Sequence, residues 1–225
     1  MATRFTKIAA ILFPIVWVSC ASGQVSKPTK VKPTSELRSL VPKGNILRGA
    51  WHTNLTPSGE TIFLYDDGEE VLQQACLAIL RGGRESSLVD ATYVQDFVLV
   101  SLDNSKKGLA VVSSNGEDGA DAEFVIFVFS NGLYKRVFSG KTMEGQMKIV
   151  STNPLSFTLS DAAEELDSKD NSCVWCPHRF RIKSYVWNGE TFKLTKQVLT
   201  KEFIRPADPG SAFILPRPTP TANKH

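Results

Sequence analysis

Residues 179–200, RFRIKSYVWNGETFKLTKQVLT, constrain the fold more than any other part of the chain. Two runs rich in β-branched and aromatic residues, 180–187 and 191–199, flank Asn188-Gly189. Both central residues of a type I′ turn need a positive φ, which Asn and Gly tolerate best, so the stretch reads as a β-hairpin. Alternation in the second run puts Phe192, Leu194 and Val198 on one face and Lys193, Thr195 and Gln197 on the other, the pattern of a half-buried strand. The first run has an apolar face, Phe180, Ile182, Ser184 and Val186. Its other face mixes bases and aromatics: Arg179, Arg181, Lys183, Tyr185 and Trp187.

The same turn chemistry recurs upstream. LAILRGGRESSLVD turns at Gly82-Gly83 and FVIFVFSNGLYKRVF at Asn131-Gly132, so the three turns lie 49 and 57 residues apart. Strand-like segments precede each: 61–65, then 97–102 with 109–114, then 147–151 with 156–159. Units of three or four short strands cannot bury their faces alone but share a core when stacked. The expected fold is therefore mainly β: a partial β-propeller-like or curled antiparallel repeat sheet of about three hairpin units, with a short N-terminal helix. Val71, Leu72, Ala75, Cys76, Ile79 and Leu80 also match helical spacing, with Glu69 and Glu70 suited to a helix start. The repeat predicts strand over 74–80, and helix over 69–80 stays open.

The chain divides into four parts. Residues 1–23 read as a signal peptide, with a basic start at Arg4 and Lys7, an apolar run from Ile8 to Val18 and small residues at Ser19, Ala21 and Gly23. That run is too short for the ~20 residues a spanning helix needs. Cleavage after Ala21 or Gly23 would release a soluble protein. Alternatively Cys20 becomes the lipidated first residue of a bacterial lipoprotein, although Trp17 stands where Leu is usual. Residues 24–44 read as a basic flexible tether and short helix. Lysines and prolines to Pro33 suit a solvated segment, and SELRSLVP from Ser35 suits one or two helical turns capped by Ser35. The β-repeat domain spans 45–200. Residues 201–225 form a Pro-rich C-terminal tail in which Phe213, Ile214 and Leu215 are placed to dock.

The net charge of +3 belongs to the ends. Residues 1–34 carry five bases and no acid, and 201–225 carry four bases against two acids, so the body between is net −4. An acidic body offers no footprint for phosphate backbones, and nucleic acid is not an expected partner.

The segments LVSLDN, residues 99–104, and GLAVV, residues 108–112, together with the YVWNG-type hairpins, resemble the FG-GAP or VCBS-like repeat proteins of bacterial envelopes. The likeness covers roughly residues 45–200 and implies propeller-like blades of strand, Asp- and Gly-rich turn, strand and hairpin. Lys43-Gly44 after Val41-Pro42 is similar to the lead-in of such proteins. The family's calcium loop, however, sets oxygen ligands at alternate positions, and here Asp103, Ser105 and Lys107 occupy them before Gly108. An ammonium at a ligand position nearly excludes the ion. The loop 115–121, NGEDGAD, has more oxygens and reads as a solvated acidic turn, and no literal FG-GAP sequence is present.

Chemistry concentrates at Cys173, Cys176 and His178. Covalent haem attachment is excluded because Pro177 separates the second Cys from the His. A redox pair normally opens a helix after a strand, whereas this one leads into a hairpin. Zinc bound by Cys173, Cys176 and His178 could be completed by Cys76 or His52. In an exported protein the expected state is a structural disulfide, Cys173 to Cys176 or one of them to Cys76. Trp175, Tyr185 and Trp187 could stack on a sugar ring or a peptide, but core packing explains them more cheaply. The only histidines are His52, His178 and His225, and no nucleophile-elbow, zincin or phosphate-loop pattern occurs. Glu164, Glu165, Asp167 and Asp170 read as a solvated face.

These observations predict a non-catalytic exported module, periplasmic or extracellular, that binds an unknown protein or glycan of the cell envelope. No cofactor is expected, and a membrane partner only if Cys20 is lipidated. The alternatives are a zinc- or thiol-dependent protein using the CxxCxH cluster and a carbohydrate-binding or hydrolase-like propeller.

Overall fold

The computed structural model describes residues 25–69, 74–114, 121–163, 179–202 and 213–215. Three four-stranded meanders succeed one another along the chain. The first is β2 (Ile46–Thr53), β3 (Glu60–Asp66), β4 (Ala75–Arg81) and β5 (Arg84–Ala91). The second is β6 (Tyr93–Ser101), β7 (Lys107–Ser114), β8 (Asp121–Ser130) and β9 (Leu133–Met143). The third is β10 (Met147–Thr152), β11 (Leu155–Ala162), β12 (Phe180–Trp187) and β13 (Phe192–Leu199). Neighbours within each meander pair antiparallel, and each meander closes on one of the three hairpins. The fold is thus mainly β and built from three hairpin units, with strand at Ala75–Arg81 where helical spacing had competed.

Each sheet carries one further strand or a strap. β1 (Thr29–Val31) pairs with β2, and β14 (Phe213–Ile214) pairs in parallel with β10, so Phe213 docks as expected and meets Phe124 edge-on. The segment read as a solvated tether differs from that reading over 25–33. Val25 packs on the core, Ser26 exchanges two backbone hydrogen bonds with Leu99 at 3.0 and 2.8 Å, and Lys27 pairs with Asp96. Composition hides this because the binding is by backbone, on the free edges of β6 and β2. The helix α1 (Ser35–Leu40) follows, with Thr34 rather than Ser35 as N-cap: the Thr34 hydroxyl accepts the Leu37 N–H at 3.2 Å.

The middle sheet is packed on both faces. Leu109, Val111, Val125 and Phe127 face the first sheet, where they meet Ile62, Leu77 and Ile79. Ala110, Val112, Phe124 and Ile126 face the third sheet, where they meet Ile149, Phe157 and Leu159. Burial on both sides explains why β7 and β8 read as continuous apolar runs. The outer face of the first sheet, Ala50, Phe63, Cys76 and Ala78, is covered by Leu37 of α1.

Turn chemistry divides the three hairpins. Gly82 and Gly83 have φ of 55° and 76°, and Asn131 and Gly132 have 54° and 82°, as two-residue primed turns require. At the third hairpin only Gly189 is positive, at 100°. Here the loop is four residues long: the Asn188 side chain accepts the N–H groups of Glu190 and Thr191, and Trp187 pairs with Phe192. The expected type I′ turn is therefore replaced by an Asx-type loop, in which the Asn side chain supplies the acceptor.

Candidate functional site

Sheets of unequal width leave a shelf. The middle sheet ends at β9, whereas the third sheet continues from β11 through β12 to β13. β9 lies against β11, so β12 and β13 project beyond it. The shelf surface follows from register. Arg181, Lys183, Tyr185 and Trp187 of β12 share one face with Leu199, Gln197, Leu194 and Phe192 of β13. That face continues the inner side of β11, where Leu155, Phe157 and Leu159 join the core.

The shelf changes character along its length. Toward the β12–β13 loop, Phe138 of β9 meets Tyr185 and Phe192 at centroid distances of 4.9 and 5.7 Å, an aromatic group that also includes Phe157. Toward the other end, Lys183 and Arg181 each place a side-chain nitrogen 3.7 Å from Asp161 Oδ2. Asp161 Oδ1 accepts the Met143 N–H at 3.1 Å, so this carboxylate also ties β9 to the third sheet. Two cations thus share this carboxylate. Burial, and then the Asp161 charge, raise the Tyr185 phenol above its ordinary value. Beside Asp161 opens a cavity of about 300 Å³ lined by Asp121, Glu123, Lys141, Thr142 and Met143.

Residues 133–143 carry three bases and no acid, and residues 179–202 six bases against two acids. The strands β9, β12 and β13 are thus net basic within an acidic body. Along this side β9 is an edge strand of 11 residues, and among the described residues no strand pairs with its outer edge. Two neighbours intervene: the Thr191 hydroxyl at the Val137 carbonyl, at 3.5 Å, and Asp161 at the Met143 N–H. Leu194, on the shelf face, is 52% exposed.

No family model, curated protein or solved structure matches the chain.

The remaining polar clusters bind sheet to sheet. Asp103, in the β6–β7 turn, accepts the Ser105 N–H and hydroxyl and the Lys106 N–H on one oxygen, and the Trp187 indole N–H at 2.9 Å on the other. Burial pushes its carboxyl up, but these hydrogen bonds outweigh burial and lower it from 3.8 to about 2. Lys106 donates to the Gly189 carbonyl at 2.7 Å and lies over the Trp187 ring, whereas Lys107 reaches the Asn54 carbonyl at 3.2 Å. Two adjacent ammonium groups thus reach the sheets on either side.

Between the first and middle sheets, Glu60 is 2% exposed. Its carboxylate accepts from the Thr53 hydroxyl and the Thr56 N–H and lies 3.9 Å from the Arg81 guanidinium, which stacks on Phe129. Burial first, and then the Glu60 charge, raise the Tyr134 phenol in the same cluster. Beneath α1, the Cys76 thiol contacts the Ser87 hydroxyl at 3.5 Å, and its titration is pushed up chiefly by burial.

Of the residues singled out from sequence, Cys20, Cys173, Trp175, Cys176 and His178 lie outside the described residues, as do the acidic stretch 164–170 and the loop 115–120. Trp187 is 4% exposed and hydrogen-bonded to Asp103, and Tyr185 packs among Phe138 and Phe157. Both serve the packing role that the sequence offered as the cheaper explanation. The β9 edge escaped notice because no local motif marks an edge: it is defined by which strands are not adjacent.

Proposed function

We propose that the chain is a non-catalytic, exported module of the bacterial envelope that binds a partner along the shelf between β9 and the β12–β13 hairpin. The observation that carries this reading is the outer edge of the 11-residue β9, with which no strand pairs among the described residues, beside a half-exposed surface of apolar and basic side chains. Edges left open are aggregation hazards that folds usually blunt, so one that borders a prepared surface suits recognition. Export is supported by the basic and apolar N-terminal run. The likeness of residues 45–200 to envelope repeat proteins favours the same compartment.

Two measurements on protein from its native envelope test the reading. Intact mass with and without alkylation gives the processed N-terminus, any diacylglycerol on Cys20 and the number of free thiols. A photo-crosslinking amino acid at Leu194 should capture a defined partner that the same group at Glu85, on β5 of the first sheet, does not. Retention of residues 1–23 in the mature protein, or equal labelling from both positions, would overturn the proposal.

A further inference from the structure

We infer that the partner is an acidic, extended peptide segment that adds to β9 as a fifth strand of the middle sheet; this rests on the binding role proposed above. Stacked sheets lie ~10 Å apart and neighbouring strands ~4.8 Å. With β9 over β11, a strand hydrogen-bonded to the outer edge of β9 would run over β12. It would fill the overhang and use backbone groups with which no strand pairs among the described residues.

The length is set by the structure. Thr191 occupies the Val137 carbonyl and Asp161 the Met143 N–H, so the open edge runs from Phe138 to Thr142. Five residues at ~3.4 Å each span about 17 Å, room for a peptide core of about five residues. Alternate side chains of such a strand would face the shelf, where Leu194 is apolar and Lys183 and Arg181 are cationic. The other set would face the side of Lys141 and Arg136, on the opposite face of β9.

Charge selects the partner. A second copy of β9 would add its own Lys141 to an edge already flanked by Lys141, Lys183 and Arg181, and like-charge juxtaposition is unfavourable, whereas Arg136 already pairs with Glu123. An acidic strand meets the same groups with the opposite sign. Recognition would then combine main-chain hydrogen bonds for affinity with side-chain charge for choice.

The test uses the full mature chain and fluorescence anisotropy with a labelled octapeptide alternating Glu and Val. Saturable binding is expected, weakened at least about tenfold when Lys replaces Glu, when alternate backbone nitrogens are methylated, or in the variants Lys183→Glu and Lys141→Glu. Circular dichroism and the melting temperature of each variant establish that it is folded. Equal binding of the N-methylated peptide would overturn strand addition, leaving only a cationic surface. Tighter binding of a sulfated oligosaccharide or of single-stranded DNA, lost in the same variants, would overturn the peptide assignment. Capture through Leu194 in the envelope, with no binding of the octapeptide, would sink this inference and leave the broader binding role standing. Failure of both would remove both.

Discussion

Asp103 is the sharpest test of how the sheets are held together. Its carboxylate takes three hydrogen bonds from its own turn and one from Trp187, a residue of the neighbouring sheet that is 4% exposed. Asp103→Ala leaves the buried indole N–H without its acceptor, a loss of about 1–3 kcal/mol. The charge adds to this. A fall from 3.8 to about 2 corresponds to ~2.4 kcal/mol at ~1.36 kcal/mol per unit. Asp103 is partly exposed, so solvent screening reduces that to about 1 kcal/mol. The expected destabilisation is about 2–4 kcal/mol for Asp103→Ala and about 1 kcal/mol for Asp103→Asn, which keeps an acceptor. For a domain of this size these are losses of about 4–16 °C and about 2–4 °C in melting temperature.

The pH dependence gives an independent check. Because the folded value is depressed, the unfolded chain binds the proton first as pH falls, and the contribution is complete only above the ordinary value of 3.8. The stability difference between wild type and Asp103→Asn should therefore hold from pH 7 to about 5 and close between about pH 4 and 2. Urea unfolding followed by tryptophan fluorescence measures it, with a common slope as the sign that only stability has changed. Equal stability of the Ala and Asn variants and wild type, or a difference that persists unchanged at pH 2, would refute the reasoning.

Other residues offer tests of the same frame. Glu60→Ala strips the Thr53 hydroxyl and the Arg81 guanidinium of a fully buried carboxylate, and should cost about 3 kcal/mol, at the low end for a buried pair because the Arg81 side chain is 37% exposed; a loss under 1 kcal/mol in urea would contradict a latch between the sheets. Gly145→Ala would place a Cβ 1.9 Å from the Ser160 carbonyl oxygen, where backbone must move, and should cost more than about 3 kcal/mol or abolish soluble expression. Gly82→Ala meets nothing within 4 Å and should lose only about 1 kcal/mol through its positive φ. Leu37→Ala removes the side chain that closes α1 over Cys76, at about 2–4 kcal/mol. In a Cys173→Ser, Cys176→Ser background it should speed reaction of Cys76 with a thiol reagent at least tenfold; an unchanged rate would mean that α1 does not shield the thiol.

Turn and core were legible for different reasons. Gly-Gly and Asn-Gly announce hairpins because the need for positive φ is local, and all three hairpins stand where those pairs stand. The third was read one step too simply, since Asn188 uses its side chain and lengthens the loop. Faces were harder. On β12 the apolar set, Ile182, Ser184 and Val186, points away from the middle sheet, and the mixed set with Tyr185 and Trp187 points toward it. Period-two reading assigns one character to a whole face, but this face covers core at one end and overhang at the other. On β13 a bulge near Thr195 moves Val198 to the side opposite Leu194, which no alternation count detects. The strap at 25–33 was hidden too, because a backbone that completes an edge needs no particular side chains.

The overhang also has a place in the logic of the stack. The first sheet ends the stack with an apolar outer face, Ala50, Phe63, Cys76 and Ala78, and α1 lies on it. The third sheet ends it with a mixed face, Ile182, Val186 and Val198 set among Ser156, Thr158, Ser160, Ser184, Lys148, Lys193 and Lys196. Growth by stacking is therefore stopped by cover at the first sheet and opposed at the third by its lysines. Growth sideways is stopped at β2 by β1, at β10 by β14, and at β6 in part by Ser26. At β9, as at β5 and β13, the same device is absent among the described residues, and at β9 the third sheet reaches two strands farther beneath it. The middle sheet, which carries most of the packing, is the one left a strand short on that side, and the cations gathered there decide what kind of strand can complete it.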